Sequence, residues 1–309
     1  MHPIAAILLA ALPFKSEPLP NAAAEARGVG FAPKIVYLRL APGESAKQTF
    51  HLVNYEKLAA YFVLSTMDTW SDSQKVGERR FAPAGTLEHG AGKWLVDPDG
   101  QRVRVPGKQS VAVDEIITVP PGTAPGTYLG SMMFGFSSFE NEEGKESPGY
   151  TIEAGVRVNR IAGVVLHIDV KKPDAPPPSP DVKLAETQVR APTASEPLVV
   201  RMMLDNPSRW EVKPQGTLVV LTRDGRPLGK VAFDDAQLWP EQKAWMQATF
   251  AERLAPGRYQ ALVAISMQDP DDQGAFYATP PVKQKLEFEV KPPAAASSAA
   301  PPPASKQGH

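Results

Sequence analysis

The residues able to do chemistry in this chain are few and scattered. Five histidines stand at positions 2, 51, 89, 167 and 309. None lies at a metal-ligand spacing from another, whereas zinc sites draw on ligands a few residues apart. His51 and His167 fall inside strand-like runs and are expected on solvent faces. The chain has no cysteine, which removes disulfides, thiolate metal sites and cysteine nucleophiles. Two acidic runs, Asp97-Pro-Asp-Gly100 and Asp269-Pro-Asp-Asp272, bunch carboxylates of the kind calcium takes. Neither follows the EF-hand register, and both read as polar hairpin turns. There is no G-x-S-x-G elbow and no glycine loop closing on Lys-Ser/Thr. The expectation is no enzyme, with no catalytic residue, no metal and no cofactor.

What remains suits binding. Trp94 and Trp245 fall in strand-like runs and are expected in the core. Trp210 follows Asn206-Pro-Ser-Arg and is expected in a loop, where an exposed indole makes a good interface anchor. The acidic stretch Phe139-Glu-Asn-Glu-Glu-Gly-Lys-Glu-Ser-Pro-Gly149 joins two alternating runs and reads as a long solvated hairpin loop, or as a mobile binding loop. A net charge of −1 implies no large basic surface, so nucleic acid is not expected as a partner.

The elements that would position these residues are strands. Successive side chains of a strand point to opposite faces, so one-sided burial writes apolar residues at every second position. Val111, Val113, Ile117 and Val119 follow that rule. So do Tyr128, Met132, Phe134 and Phe136; Tyr150, Ile152, Ala154, Val156 and Val158; and Val164, Leu166, Ile168 and Val170. Later come Leu198, Val200, Met202 and Leu204, then Tyr259, Ala261, Val263, Ile265 and Met267, then Leu286, Phe288 and Val290. No long segment holds a helical period.

A turn pattern is also written twice. The first copy runs Leu52-Val-Asn54, Asp99-Gly100, Pro106-Gly107-Lys108 and Pro125-Gly126-Thr-Tyr128. The second runs Leu204-Asp-Asn206, Asp224-Gly225, Pro240-Glu-Gln-Lys243 and Pro256-Gly257-Arg-Tyr259. Asp-Gly suits hairpins because both residues tolerate positive φ. The expected fold is all-β, two tandem immunoglobulin-like β-sandwich domains joined by a Pro-rich linker.

Boundaries follow from composition. Among 309 residues, 33 are proline, about twice ordinary usage. Residues 1–30 read as a signal peptide and flexible N-terminus, 31–170 as the first sandwich and 171–181 as the linker. Residues 182–291 read as the second sandwich, and 292–309 as a disordered Pro/Ala/Ser-rich tail. The linker's prolines lack a ladder donor, so an extended, semi-rigid spacer is expected, holding the domains up to ~30 Å apart. The apolar run Ile4–Leu12 followed by Asn21-Ala-Ala-Ala-Glu-Ala26 has the layout of a cleavable export signal. No run approaches the ~18 apolar residues of a membrane span. Export to the periplasm or cell surface is therefore expected, without a transmembrane anchor.

On these residues the first half resembles the N-terminal domain of the WxL-interacting family of bacterial surface proteins. The stretches that carry the likeness are Pro33-Lys-Ile-Val-Tyr-Leu-Arg-Leu-Ala-Pro-Gly43, Phe50-His-Leu-Val-Asn54, Trp94, Arg104-Val-Pro-Gly107, and Ile117 through Gly130 and Phe134. Val182-Lys-Leu184, Leu204-Asp-Asn206 and Leu254-Ala-Pro-Gly-Arg-Tyr259 resemble the family's second domain. The resemblance implies a non-enzymatic adaptor that attaches to cell-wall polymer and to other surface proteins through sheet edges and loops. The chain is also similar to the periplasmic pilus chaperones, two-domain immunoglobulin-like proteins that complete a subunit's sandwich by donating a strand. That similarity implies a hairpin of 126–136 with 150–158, whose donated face would be Tyr150, Ile152, Ala154, Val156 and Val158. Such chaperones hold the subunit's terminal carboxylate in the interdomain cleft; Lys34, Arg39, Arg157 and Arg160 are the basic residues nearby. Protein-binding candidates are thus the five residues of that face together with Trp210.

Overall fold

The computed structural model describes residues 16–19, 27–71, 79–96, 100–140, 145–148, 152–153, 156–157, 161–171, 175, 178–193, 195–270 and 275–292. The apolar run at 4–12, residues 97–99 of the first acidic run and 271–272 of the second lie outside them. In chain order the strands are β1 (Ser16–Pro18), β2 (Val29–Ala32), β3 (Ile35–Leu40), β4 (Ser45–Asn54), β5 (Ala60–Ser71), β6 (Arg79–Pro83), β7 (Arg102–Val105), β8 (Gln109–Thr118), β9 (Gly126–Glu140) and β10 (Glu146–Pro148). They continue with β11 (Ile152–Glu153), β12 (Val156–Arg157), β13 (Ile161–Val170), β14 (Lys183–Arg190), β15 (Leu198–Asn206), β16 (Lys213–Thr222), β17 (Pro227–Ala232), β18 (Gln242–Phe250), β19 (Gly257–Gln268) and β20 (Val282–Val290). No helix among the described residues is long and apolar enough to cross a membrane.

Two β-sandwiches result. In the first, the sheet β1-β8-β4-β2 faces the sheet β3-β13-β9-β5-β6, to which β7 and β10 also attach. In the second, β14-β15-β18 faces β17-β16-β19-β20. The alternation read from the sequence selects the buried face of each strand. Phe50, Leu52, Leu64, Ile117, Met132, Phe134, Leu166 and Ile168 are sealed in the first core, and Leu198, Met202, Leu204 and Leu218 in the second. The segment 29–40 of the first sandwich is split between the sheets. β2 pairs with β4, and after Pro33 the chain crosses to the other sheet, where β3 runs parallel to β13. Proline has no N–H to continue a ladder, so the crossover sits where the ladder must end anyway.

The duplicated pattern is a duplicated hydrogen-bond knot. Asn54, at the end of β4, is fully buried. Its Nδ2 donates to the carbonyls of Leu58 (2.8 Å), Val105 (3.1 Å) and Pro106 (3.3 Å), and its Oδ1 accepts from the Glu56 amide at 3.0 Å. Asn206, at the end of β15, is equally buried. Its Nδ2 donates to Trp210 (2.7 Å), Leu238 (3.4 Å) and Trp239 (3.0 Å), and its Oδ1 accepts from the Ser208 amide at 3.2 Å. Each loop then closes on a residue of positive φ: Lys108 (φ 56°) donates its amide to Glu56, and Glu241 (φ 57°) to Ser208. The equivalence therefore sets Gly107 against Pro240, one residue away from the pairing of prolines that the sequence suggests. The tyrosines repeat as well. Tyr128 donates its hydroxyl to Ala124 O (3.0 Å) and Tyr259 to Ala255 O (2.7 Å), the corner bond of immunoglobulin-like sandwiches.

A core position on β8 carries a carboxylate. Glu115 shares the inward parity of Val111, Val113 and Ile117 and is only 5% exposed. Burial, and secondarily the neighbouring Asp114 charge, push its carboxyl up to about 7. Asp114, on the outward face, is held below its ordinary value by Lys47 and Thr49.

Two measurements test these assignments. Removing either carboxamide strands buried carbonyls at a cost of about 1–3 kcal/mol each. Asn54→Ala and Asn206→Ala should therefore each lower the urea midpoint by an amount equivalent to about 3 kcal/mol. For Glu115 the unfolded chain ionises first, near 4.5. Its contribution is therefore full below pH 4.5 and is lost as pH rises to about 7, by at most roughly 3 kcal/mol. Glu115→Gln should flatten the stability–pH curve across that window.

Candidate functional site

Two regions bring polar and charged side chains together: the seam between the sandwiches and the far end of β9. The seam begins with a register. His167 on β13 stands beside Tyr37 on β3, and Asp169 opposite Thr127 on β9, so all four point to the same outward face. The loop after Asn206 lies on that face. The Thr127 amide donates to Arg209 O at 2.7 Å, and the Glu211 amide donates to Thr127 Oγ1 at 3.0 Å. Thr127 Oγ1 in turn donates to Asp169 Oδ1 at 2.5 Å. His167 Nδ1 meets Glu211 Oε2 at 2.6 Å, with both side chains 1% exposed. Gln237 Nε2 donates to the other carboxylate oxygen, and Tyr277 donates to the Glu211 carbonyl. Tyr37 stacks on the imidazole at 4.7 Å, and Trp239 meets it edge-on at 6.1 Å.

Ion pairs ring this centre. Arg39 reaches Asp269 at 2.9 Å and Arg209 reaches Glu88 at 3.3 Å. His89 Nε2 lies 3.4 Å from Glu241. Lys171 bonds Asp169 at 3.1 Å and lies over the Trp210 ring at 5.1 Å. The loop that presents Glu88 and His89 is held from beneath. Asp68, fully buried on β5, accepts the amides of Thr86 (2.8 Å), Leu87 (3.0 Å) and Gly92 (2.9 Å). Gly126 marks how closely the bodies approach: a Cβ there would stand 2.8 Å from Arg209 O.

Several expectations change here. The spacer does not hold the sandwiches apart, because the 206–212 loop reaches back and bonds to β9. His167 is not on a solvent face; that face is covered by the second sandwich. Trp210 is half-buried against Lys171, so it serves the seam rather than standing free. Trp94 is buried as expected, but Trp245 is only half-buried and lies under the Arg201 guanidinium at 4.6 Å. Its strand buries Met246, Ala248 and Phe250, the opposite parity. His51 is exposed, as expected.

At the far end, β9 outruns its neighbour. One flank pairs with β5 from Gly130 to Phe139. The other pairs with β13 from Gly126 to Gly135, then with β10 from Ser138 to Glu140. The partner of 126–135 is therefore 161–170, not 150–158. The β10 pairing ends at Pro148 and that of β13 begins at Ile161; between them in sequence, β11 and β12 pair with each other. Tyr150, Ala154 and Val158 lie outside the described residues; Ile152 and Val156 sit in β11 and β12. The tip of β9 is anchored. Glu140 accepts a two-pronged bond from Arg104 (2.6 and 2.9 Å) and the Tyr61 hydroxyl at 2.7 Å, which together hold its carboxyl at about 2. Phe136 packs between Phe62 and Phe139. Among the described residues no group of three or more His, Cys, Asp or Glu is placed to hold a metal.

No family model and no curated protein matches the chain, so the resemblance to the WxL-interacting family finds no support. Solved structures that resemble it include fimbrial chaperones. One comes from a chaperone–tip adhesin complex of CFA/I fimbriae (13% identity, TM-score 0.43, 86% of this chain and 100% of that one). Another is the class 5 fimbriae chaperone CfaA (13%, 0.42, 86% and 100%). A third comes from the CsuC–CsuE chaperone–tip adhesion subunit pre-assembly complex of Acinetobacter baumannii (9%, 0.40, 86% and 100%). The likeness is distant.

The two tyrosine-corner glycines supply a matched test of the seam. Gly126 and Gly257 share the same unusual backbone, φ 153° and 157°, but a Cβ on Gly257 would meet nothing nearer than its own Tyr259 ring at 3.8 Å. Overpacking costs typically about 1–3 kcal/mol. Gly126→Ala should destabilise more than Gly257→Ala by that margin in thermal unfolding.

Proposed function

We propose that the protein is a non-enzymatic, pilus-type assembly chaperone that works after export, in the periplasm, and donates a strand to an incomplete partner sandwich. The observation that carries this reading is the interrupted ladder on β9. The strand is stapled at its tip by Arg104, Tyr61 and the phenylalanine trio, and its second flank passes from β13, paired up to Gly135, to β10, paired from Ser138. The sequence between β10 and β13 holds the alternating apolar set Tyr150, Ile152, Ala154, Val156 and Val158. Strand addition uses such alternation beside a fixed sheet: main-chain bonds supply affinity, and every second side chain fills a pocket. Of the four basic residues named near the cleft, Arg39 is engaged by Asp269, and none is assigned to carboxylate capture.

The broader expectation, an envelope protein that binds other surface proteins, contains this reading. No observation favours a cell-wall polymer as ligand, and that part is dropped. The test is to refold an aggregation-prone pilus subunit in the presence of the purified protein. The expected result is a soluble one-to-one complex, with at least about tenfold less capture for Ile152→Asp or Val156→Asp, since a buried charge without a partner is strongly penalised. Equal capture by the variants, with unchanged far-ultraviolet dichroism, sinks strand donation. Recovery of wall polymer instead of a subunit restores the adaptor reading.

A further inference from the structure

We propose that export processing uncovers the outer flank of β8, and that this flank then pairs antiparallel with β8 of a second copy of the chain. The inference rests on the export part of the reading above and is independent of strand donation.

The flank holds two clamps and a gap. On its inner side β8 pairs with β4 along its whole length. On its outer side β1 pairs with Gln109–Val111. Further along, Leu95 bridges to Ile117, and the Val96 amide donates to Ile116 O. Among the described residues no strand pairs with 112–115 on that side. Other sheet edges are blunted by their own residues, β6 by Arg79, Arg80 and Pro83 and β20 by Lys283, Lys285 and Glu289, the usual defence of an edge. The outer flank of β8 relies on added chain instead. Its β1 clamp lies upstream of both small-residue cleavage motifs, Ala22–Ala24 and Ala24–Ala26. Cleavage after either starts the protein at Glu25 or Arg27 and takes β1 away. The open flank then runs from 109 to 115, bounded by the turn at Lys108 and by the Leu95 bridge, an ordinary strand length.

Register names the occupant. An inward carboxylate ordinarily protects an edge, because an added strand buries it unpaired. Glu115 is such a group, 5% exposed and without a hydrogen bond among the described residues. Residues directly opposite in an antiparallel pair share a face. Two β8 strands paired about a dyad at Ala112 therefore place Glu115 opposite Gln109 of the second copy, Asp114 opposite Ser110, and Val113 opposite Val111. Each carboxylate meets a donor, and the apolar side chains meet each other. Moving the dyad by one residue sets Glu115 against Val111 in one direction and against Gly107, outside the strand, in the other. A two-fold pairing is self-complementary, so each of these contacts is made twice.

The test compares two forms of the same chain by sedimentation: the full-length precursor from membrane-free translation, and the protein recovered from the periplasm with its N-terminus read by mass. The precursor should sediment as a monomer. The periplasmic form should begin at Glu25 or Arg27 and sediment as a dimer. In that form Ala112→Asp sets like charges opposite each other at the dyad and should restore the monomer. Gln109→Leu removes the donor to Glu115 and should weaken the dimer about tenfold or more. Far-ultraviolet dichroism should be unchanged in both variants. A periplasmic chain that keeps residues 16–18 sinks the processing on which the inference rests. A processed chain that stays monomeric overturns the pairing, and so does a dimer that both substitutions leave intact. A precursor that dimerises equally removes the guarding role of β1. Subunit capture through 150–158 is scored separately, so its loss leaves this pairing standing and the reverse holds too.

Discussion

A buried carbonyl must find a donor, and in each sandwich one asparagine carboxamide supplies it to three. Asn54 and Asn206 end their strands at the point where the chain must turn over the core, and the loops across from them have no ladder to join. A side-chain amide is the smallest group that offers two N–H and one oxygen at a single buried point. Everything at that pole of each sandwich follows: the tight loop after the asparagine, the left-handed residue opposite it, and the seating of the next strand.

The two knots are chemically alike, but their outer surfaces serve different ends. In the second sandwich the knotted loop projects Arg209, Trp210 and Glu211 onto the first. In the first sandwich the equivalent apex is Lys57 and Leu58, both exposed. The repeat therefore contributes one joint, not two. That joint is built where backbone approaches backbone, at Gly126 and Arg209, with the polar side chains filling in around it. Asp68 performs the matching task on the other side, since its three amide bonds hold the loop that contributes Glu88 and His89.

Local rules made the sheets legible. Alternation selects a strand's buried face, and the runs ending at Val119, Val170, Leu204, Met267 and Val290 are buried on the expected parity. Glycine and asparagine at turns expose the repeat, because each position has a backbone or hydrogen-bond need that few residues meet. The seam was not legible for the same reason the strands were. His167 and Asp169 are polar residues on the outward parity, which is how a solvent face is written. Only the second sandwich, arriving from residues 206–212, makes that face an interior. Trp245 misleads in the opposite sense: its neighbours on the other parity carry the core, and an arginine covers the indole. The pairing of β13 with β9 was half visible. The apolar alternation of 150–158 competes with that of 164–170 for the same partner, and no local property decides between them.

The parallel pairing of β3 with β13 has a consequence for the order of events during synthesis. Ile35 bonds into the same sheet as Val165, with β4 through β12 between them along the chain. Contacts so distant in sequence are slow to form, because loop closure precedes any gain. A chain delivered from its N-terminus, whether by a ribosome or through a membrane pore, therefore keeps β3 waiting until residue 170 has arrived. The β2–β4 and β4–β8 hairpin-like pairings can assemble meanwhile. The first sandwich is thus completed late by β3, one of its early strands, just before the segment that leads to the second.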